Sequence, residues 1–173
     1  MKKDNWILKA FLMTFFIALI FSSASNYLIS KFNNTILLIV LCAIFIGIGI
    51  LFDIIGTAVL TANEASFHAK SAKKIKGSKE GVYLVKNSST IASICNDVIG
   101  DICGIVSGSI GAMLAINIST KLNVSTVIVT LLISSIISSL TVGGKAIGKK
   151  QAIKNSDAII FVAAKVLSKF KIK

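Results

Sequence analysis

Apolar residues in this chain come in long blocks rather than in short alternating runs. Four blocks stand out: Trp6 to Ile29, Thr35 to about Leu60, Ile91 to Ile118, and Val124 to about Val142. Each is near or above the roughly 20 residues that a helix needs to cross a hydrocarbon layer. The expected fold class is therefore all-α, a polytopic membrane protein with four transmembrane helices. Beyond the fourth block the tail reads "NSDAIIFVAAKVLSKFKIK". Asn155, Ser156 and Asp157 are helix-capping residue types. Apolar residues then recur with Lys165, Lys169 and Lys171 between them. That pattern predicts a C-terminal amphipathic helix lying in the membrane interface.

Residues 1–34 read as an extra N-terminal transmembrane helix. Lys2, Lys3, an apolar core and the small residues of "FSSASN" also fit a signal peptide. The length of the apolar stretch, and Lys9 near its start, favour an uncleaved anchor.

Composition points the same way. Of the 173 residues 54% are hydrophobic and 15% charged, and the mean hydropathy is +0.85. A soluble domain of this size has too much surface for its volume to hide that much apolar area. The net charge is +12, and all 19 basic residues are lysine. The lysines flank the apolar blocks, the arrangement that sets membrane topology and meets anionic lipid. With no arginine, the commonest base-reading side chain is missing, so nucleic acid is not an expected partner. Cys42, Cys95 and Cys103 all lie inside apolar blocks and read as small apolar fillers.

Lysine asymmetry sets the orientation. The segment "HAKSAKKIKGSKEGVYLVKN" holds six lysines, and the tail after Val142 holds eight. The other two connections carry only Lys31 and Lys121. The positive-inside rule places both termini and the central loop in the cytoplasm of a cell-membrane protein.

Three carboxylates interrupt the blocks: Asp53, Asp97 and Asp101. A charge inside a span costs about 3 kcal/mol on insertion scales, so such groups face a cavity or a partner. Asp97 and Asp101 are four apart and share a helix face. Hard cations want oxygen ligands. The three aspartates are candidate metal ligands, with Asn96, Ser93 and the serines at 134, 135, 138 and 139 as neutral donors. The alternative is structural pairing with Lys145 or with one another. Gly100, Gly104, Gly108 and Gly111 form a stripe that lets helices approach closely, within the chain or between copies. His68, alone in the basic loop, reads as solvated. No catalytic triad, zinc spacing or nucleotide fingerprint occurs in its required context, so an enzyme is not expected.

These pieces together resemble the transmembrane domain of the CNNM/CorC (hemolysin C-like) magnesium transporters, over residues 35–173. "LFDIIGTAVLTANEASF" resembles the family's Phe-Ser-x-Ser-Glu-Thr-Ala-Leu-x-x-x-Asn segment. Thr57, Ala58 and Asn63 match; Asp53 falls on the first serine, Ile55 on the second and Gly56 on the glutamate. "AKKIKGSKEGVYLVKN" resembles the basic connecting segment, and "IGDICGIVSGSIGAMLA" the Gly-rich helix. There Gly100–Asp101, or Asn96–Asp97 in a shifted register, falls near a Gly-Asn pair. "GKAIGKKQAIKNSD" is similar to Gly-Glu-x-x-Pro-Lys-x-x-Ala-x-x-x-x-x-Glu. Gly144, Lys149 and Ala152 match it, and Asp157 matches conservatively. Lys145 stands where the family has glutamate, and Gly148 where it has proline.

The resemblance implies a homodimer and a cation site for Mg2+ as transported ion, lined near Asn96, Gly100, Gly144 and Lys145, with no bound cofactor. It departs at Lys145, whose amine stands where a cation would sit. The CBS pair that follows in the family is not expected here. The expected function is a divergent divalent-cation transport domain. One alternative is a non-transporting membrane scaffold or interaction subunit in which Lys145 replaces the ion. A small-molecule or peptide permease subunit is a third.

Orientation is directly testable. Lys121→Cys should react with a membrane-impermeant thiol reagent in intact cells, and Lys76→Cys only after permeabilisation. Reaction of Lys76→Cys from outside would reverse the topology.

Overall fold

A computed structural model describes residues 4–31 and 34–170, all of them helix or short connection. The helices are α1 (Asp4–Lys31), α2 (Thr35–Thr61), α3 (Glu64–Ala72), α4 (Ser78–Lys86), α5 (Ser88–Ser93), a π-helical stretch (Ile94–Gly100), α6 (Asp101–Leu122), α7 (Thr126–Lys154) and α8 (Ser156–Phe170). Four stretches are long and apolar enough to cross a membrane: Leu8–Ser25, Thr35–Thr61, Ser88–Leu122 and Thr126–Lys154. Lys171 of the expected tail helix lies outside the described residues, as do Lys2 and Lys3.

One boundary moves. The fourth apolar block ends near Val142, yet α7 continues to Lys154. Two adjacent glycines cost a helix about 1 kcal/mol each, too little to stop it when no proline follows. Lys145 and Lys149 thereby become helical residues one turn apart.

The chain divides into two compact units. The first takes residues up to Ile50 and Val98–Gly144. Its core is a row running from Val98 of the π-helical stretch through Ile102, Val106, Ile110 and Leu114 of α6, closed by Leu38 and Cys42 of α2. Met13, Ile17 and Ala18 of α1 pack against it. The row repeats every four residues, as one face of a helix must. Gly104 and Gly108 fall two positions away from that row, about 200° round the helix. They meet nothing within 4 Å. The close approach expected at these two glycines therefore does not occur within the described chain. It occurs at Gly111, where a Cβ would run into Ile137 of α7, and at Gly49, where a Cβ would sit 3.2 Å from Cys103 Cβ and 3.5 Å from the Gly100 carbonyl. All three cysteines are buried thiols; Cys42 Sγ donates to the Ser107 carbonyl at 3.7 Å.

The second unit takes Leu51–Asp97 and the chain from Lys145 onward. The end of α2, the hairpin α3–α4, the extension of α7 and α8 share one core around Phe67, Ala58, Ala152, Ile160 and Ala164. Phe67 and these partners are fully buried. α4 passes close to both α3 and α8; against α3 the approach rests on Gly81, where a Cβ would collide with the Phe67 ring. Asn63 caps α3 by accepting from the Ala65 N–H at 3.0 Å. Asp157 does not cap its own helix as its residue type predicts. Its Oδ1 accepts the Asn63 N–H at 2.9 Å, and the Ser156 hydroxyl donates to the Thr61 carbonyl at 3.3 Å. In α8, Ile160 and Ala164 enter the core, and Val162 and Val166 stay exposed.

The glycines give a sharp contrast. Gly104→Ala and Gly108→Ala should leave thermal stability in detergent unchanged or raise it by up to about 1 kcal/mol, since alanine is the better helix former. Gly81→Ala should lower it by about 1–3 kcal/mol through overpacking against a rigid ring.

Candidate functional site

Asp53 stands in the apolar run of α2 between Phe52 and Ile54, its side chain only 4% exposed. An ionised carboxylate in such surroundings is costly unless a cation lies beside it. The extension of α7 supplies two. Lys145 Nζ lies 4.0 Å from Asp53 Oδ1, and Lys149 Nζ lies 3.7 Å from Oδ2. The lysines are four apart and share a helix face. Both separations are ion-pair distances beyond hydrogen-bond length. Asp53 Oδ2 accordingly has electrostatic neighbours but no hydrogen-bond donor.

Asn96 adds a second acceptor of the same kind. It lies in the π-helical stretch, and its Oδ1 is buried without a hydrogen-bond partner. Its amide is seated on the bare backbone of Gly56; any Cβ at Gly56 would collide with it. Gly56 is three residues from Asp53 and so lies on the same face of α2. One face of α2 thus carries a buried carboxylate and a seat for a buried amide, each with an oxygen short of a donor. Buried acceptors normally find a donor. Oxygens in this condition suit an ammonium group or a hard cation.

The other expected residues do different things. Asp97 is exposed and accepts the Ser93 hydroxyl at 2.9 Å, one turn away on its own helix. Asp101 is also exposed and is engaged in a contact of its own. Gly100 and Gly144 are points of close approach: Gly49 abuts Gly100, and a Cβ at Gly144 would meet Ile50. The serines at 134, 135, 138 and 139 are exposed along α7. Ser134 and Ser139 donate to carbonyls of their own helix. His68 is exposed and contacts Glu64 at 3.2 Å. Among the described residues, no three His, Cys, Asp or Glu side chains come together as a group able to hold a metal ion.

Lys149 as a second partner of Asp53 escapes a reading of the sequence that treats the last apolar residue as the helix end. The i, i+4 spacing of Lys145 and Lys149 was the signal, visible once α7 is drawn through the glycines. Gly56 escapes because a glycine inside an apolar helix gives no sign of which side chain it admits.

No family model, curated protein or solved structure matches this chain.

The ion pairs can be tested by subtraction. Lys145→Ala with Lys149→Ala should lower stability by roughly 1–3 kcal/mol, less than for a fully buried pair because both lysines are partly exposed. Adding Asp53→Asn should recover most of the loss in the same unfolding assay, because no charge then remains without a partner.

Proposed function

We propose that this chain is a divergent membrane domain of CNNM/CorC type, in which Asp53 marks the cation-handling position and Lys145 and Lys149 act as built-in counter-ions. The observation that carries this is the placement of two ammonium groups on one buried carboxylate, at the position where the resemblance has its acidic residue replaced by Lys145. Other features support it. Ala58 and Ala152, matched positions from two distant stretches, share one core. Asn63 and Asp157, also matched, are joined by a hydrogen bond. Phe11, Phe15 and Ile20 of α1 and Leu131, Leu132 and Leu140 of α7 are exposed, and contiguous apolar surface of this extent calls for lipid. The protein then lies in the cell membrane with both termini cytoplasmic. A homodimer belongs to the same reading, as the resemblance implies.

In this reading the lysines compete with the cargo. Two unit charges about 4 Å apart attract by roughly 4 kcal/mol at an effective dielectric near 20. Part of that offsets desolvation, and the rest must be given up when a divalent cation displaces the ammonium groups. Mg2+ therefore binds weakly to the wild type, and transport requires the lysines to swing out of the site. The second reading is a non-transporting scaffold in which the lysines hold the site permanently. The two ammonium groups already set against Asp53 favour it.

Mg2+ binding and cellular Mg2+ accumulation, measured for wild type, Lys145→Glu and Lys145→Ala, separate the two. Lys145→Glu should raise binding, because it restores a carboxylate and removes a competing cation. Lys145→Ala should raise it less. Flux that appears only in Lys145→Glu identifies a scaffold built on a transporter's frame. Tight Mg2+ binding by wild type, insensitive to both changes, would remove the lysines from the site.

A further inference from the structure

A second polar feature lies in the first unit, on α1, a helix outside the family resemblance. The face of α1 that packs on the α6 core is apolar at Met13, Ile17 and Ala18. The same face continues at i+4 and i+3 as Ser22 and Ser25. There the packing opens into a niche of about 20 Å3, lined by the half-buried Ser22, the buried Ser25 and Val106, and, at its open side, the exposed Ser109. Ser25 is 3% exposed, and its hydroxyl has no hydrogen-bond partner. Val106 is buried beside it. The Ser109 hydroxyl donates to the Ile105 carbonyl at 3.1 Å, so its lone pairs remain to accept.

We infer that Ser22, Ser25 and Ser109 bind one water molecule that bridges α1 to α6. Volume, polarity and partner number each agree with this occupant. About 10–15 Å3 admits one water, and a buried water typically makes about three hydrogen bonds. A water can donate to Ser109, and exchange donor and acceptor roles with Ser25 and Ser22. A bare monovalent cation fits the niche poorly: no carboxylate lines it, and an uncompensated charge in apolar surroundings is costly. An unpartnered hydroxyl would itself be unfavourable there, more so if the helices stand in lipid, where no bulk solvent reaches. The inference rests on the packing of α1 on α6 and not on the proposed cation chemistry at Asp53. The two fail independently.

The niche gives α1 a polar lock at one end of an otherwise apolar contact. Ser25 makes no direct bond to Ser109, so energetic coupling between them requires a mediator. The test is a double-mutant cycle of Ser25→Ala and Ser109→Ala on the full chain, read by thermal unfolding in detergent. It is paired with a structure at a resolution that shows ordered solvent. With the water present, each single change lowers the melting temperature by a few degrees. The double change adds little beyond the larger single one, and density lies within hydrogen-bond reach of Ser25 Oγ. Ser25→Thr, whose extra methyl fills the niche, should abolish that density while the fold is kept, which guards against a misfolded alanine variant. Strictly additive single effects with no density at the niche would overturn the inference. So would a melting temperature that rises with Na+ over choline in wild type and not in Ser25→Ala, since that would name a cation as the occupant.

Discussion

A carboxylate placed in an apolar helix has to be met by positive charge, and in this protein the meeting decides the course of the chain. Asp53 is almost wholly enclosed. Its partners come from beyond the point where the apolar run of α7 ends, so α7 has to stay helical through Gly143 and Gly144 to bring them to it. Keeping the two glycines helical costs about 1 kcal/mol each. The gain from holding Lys145 and Lys149 one turn apart beside Asp53 outweighs it. The extension that carries these lysines also carries Ala152 into the core beside Ala58. It leads on to Ser156 and Asp157, which fasten the start of α8 to the end of α2 and the start of α3.

The second unit is then a compact helical layer around Phe67. Small residues govern its spacing. Gly81 lets α4 approach the Phe67 ring, and Ala152 and Ala164 admit their neighbours without side chains to clash. Two lysines lie over aromatic faces at its surface: Lys70 Nζ is 5.0 Å and Lys165 Nζ 4.5 Å from the Phe161 ring centroid. A cation held against a ring face retains part of its electrostatic stabilisation outside bulk water. Apolar residues of the same helix, Val162 and Val166, are turned outward.

Charge and packing divide the polar residues of the spans into two sorts. Asp53 Oδ2 and Asn96 Oδ1 are buried oxygens that lack hydrogen-bond donors. Asp97 and the exposed serines of α7 either satisfy themselves locally or face outward. Residue type alone does not separate the two sorts, because aspartate and serine look the same in either role. What separates them is the helix face each falls on and what stands opposite it.

The sequence by itself determined the four long helices and the lengths that let them span a lipid layer, since block length and hydropathy are local properties; the helical hairpin α3–α4 inside the basic segment reads there only as a loop. It also determined the tail helix and the lysines that follow the fourth apolar block. Tertiary structure decided which carboxylate is buried, which lysines reach it, and which glycines are contacts. Asp53, Asp97 and Asp101 are indistinguishable by composition, and only Asp53 is enclosed. Gly104 and Gly108 carry the more conspicuous small-residue spacing, yet the row of branched residues beginning at Val98 claims the core face and turns both glycines away. Gly56 and Gly81, which give no packing signal in the linear chain, become necessary because an amide and an aromatic ring arrive on them from other helices. Periodicity gives each helix its faces; which face meets which neighbour is a long-range choice, made by the sum of side-chain volumes and by the need to leave no buried charge alone.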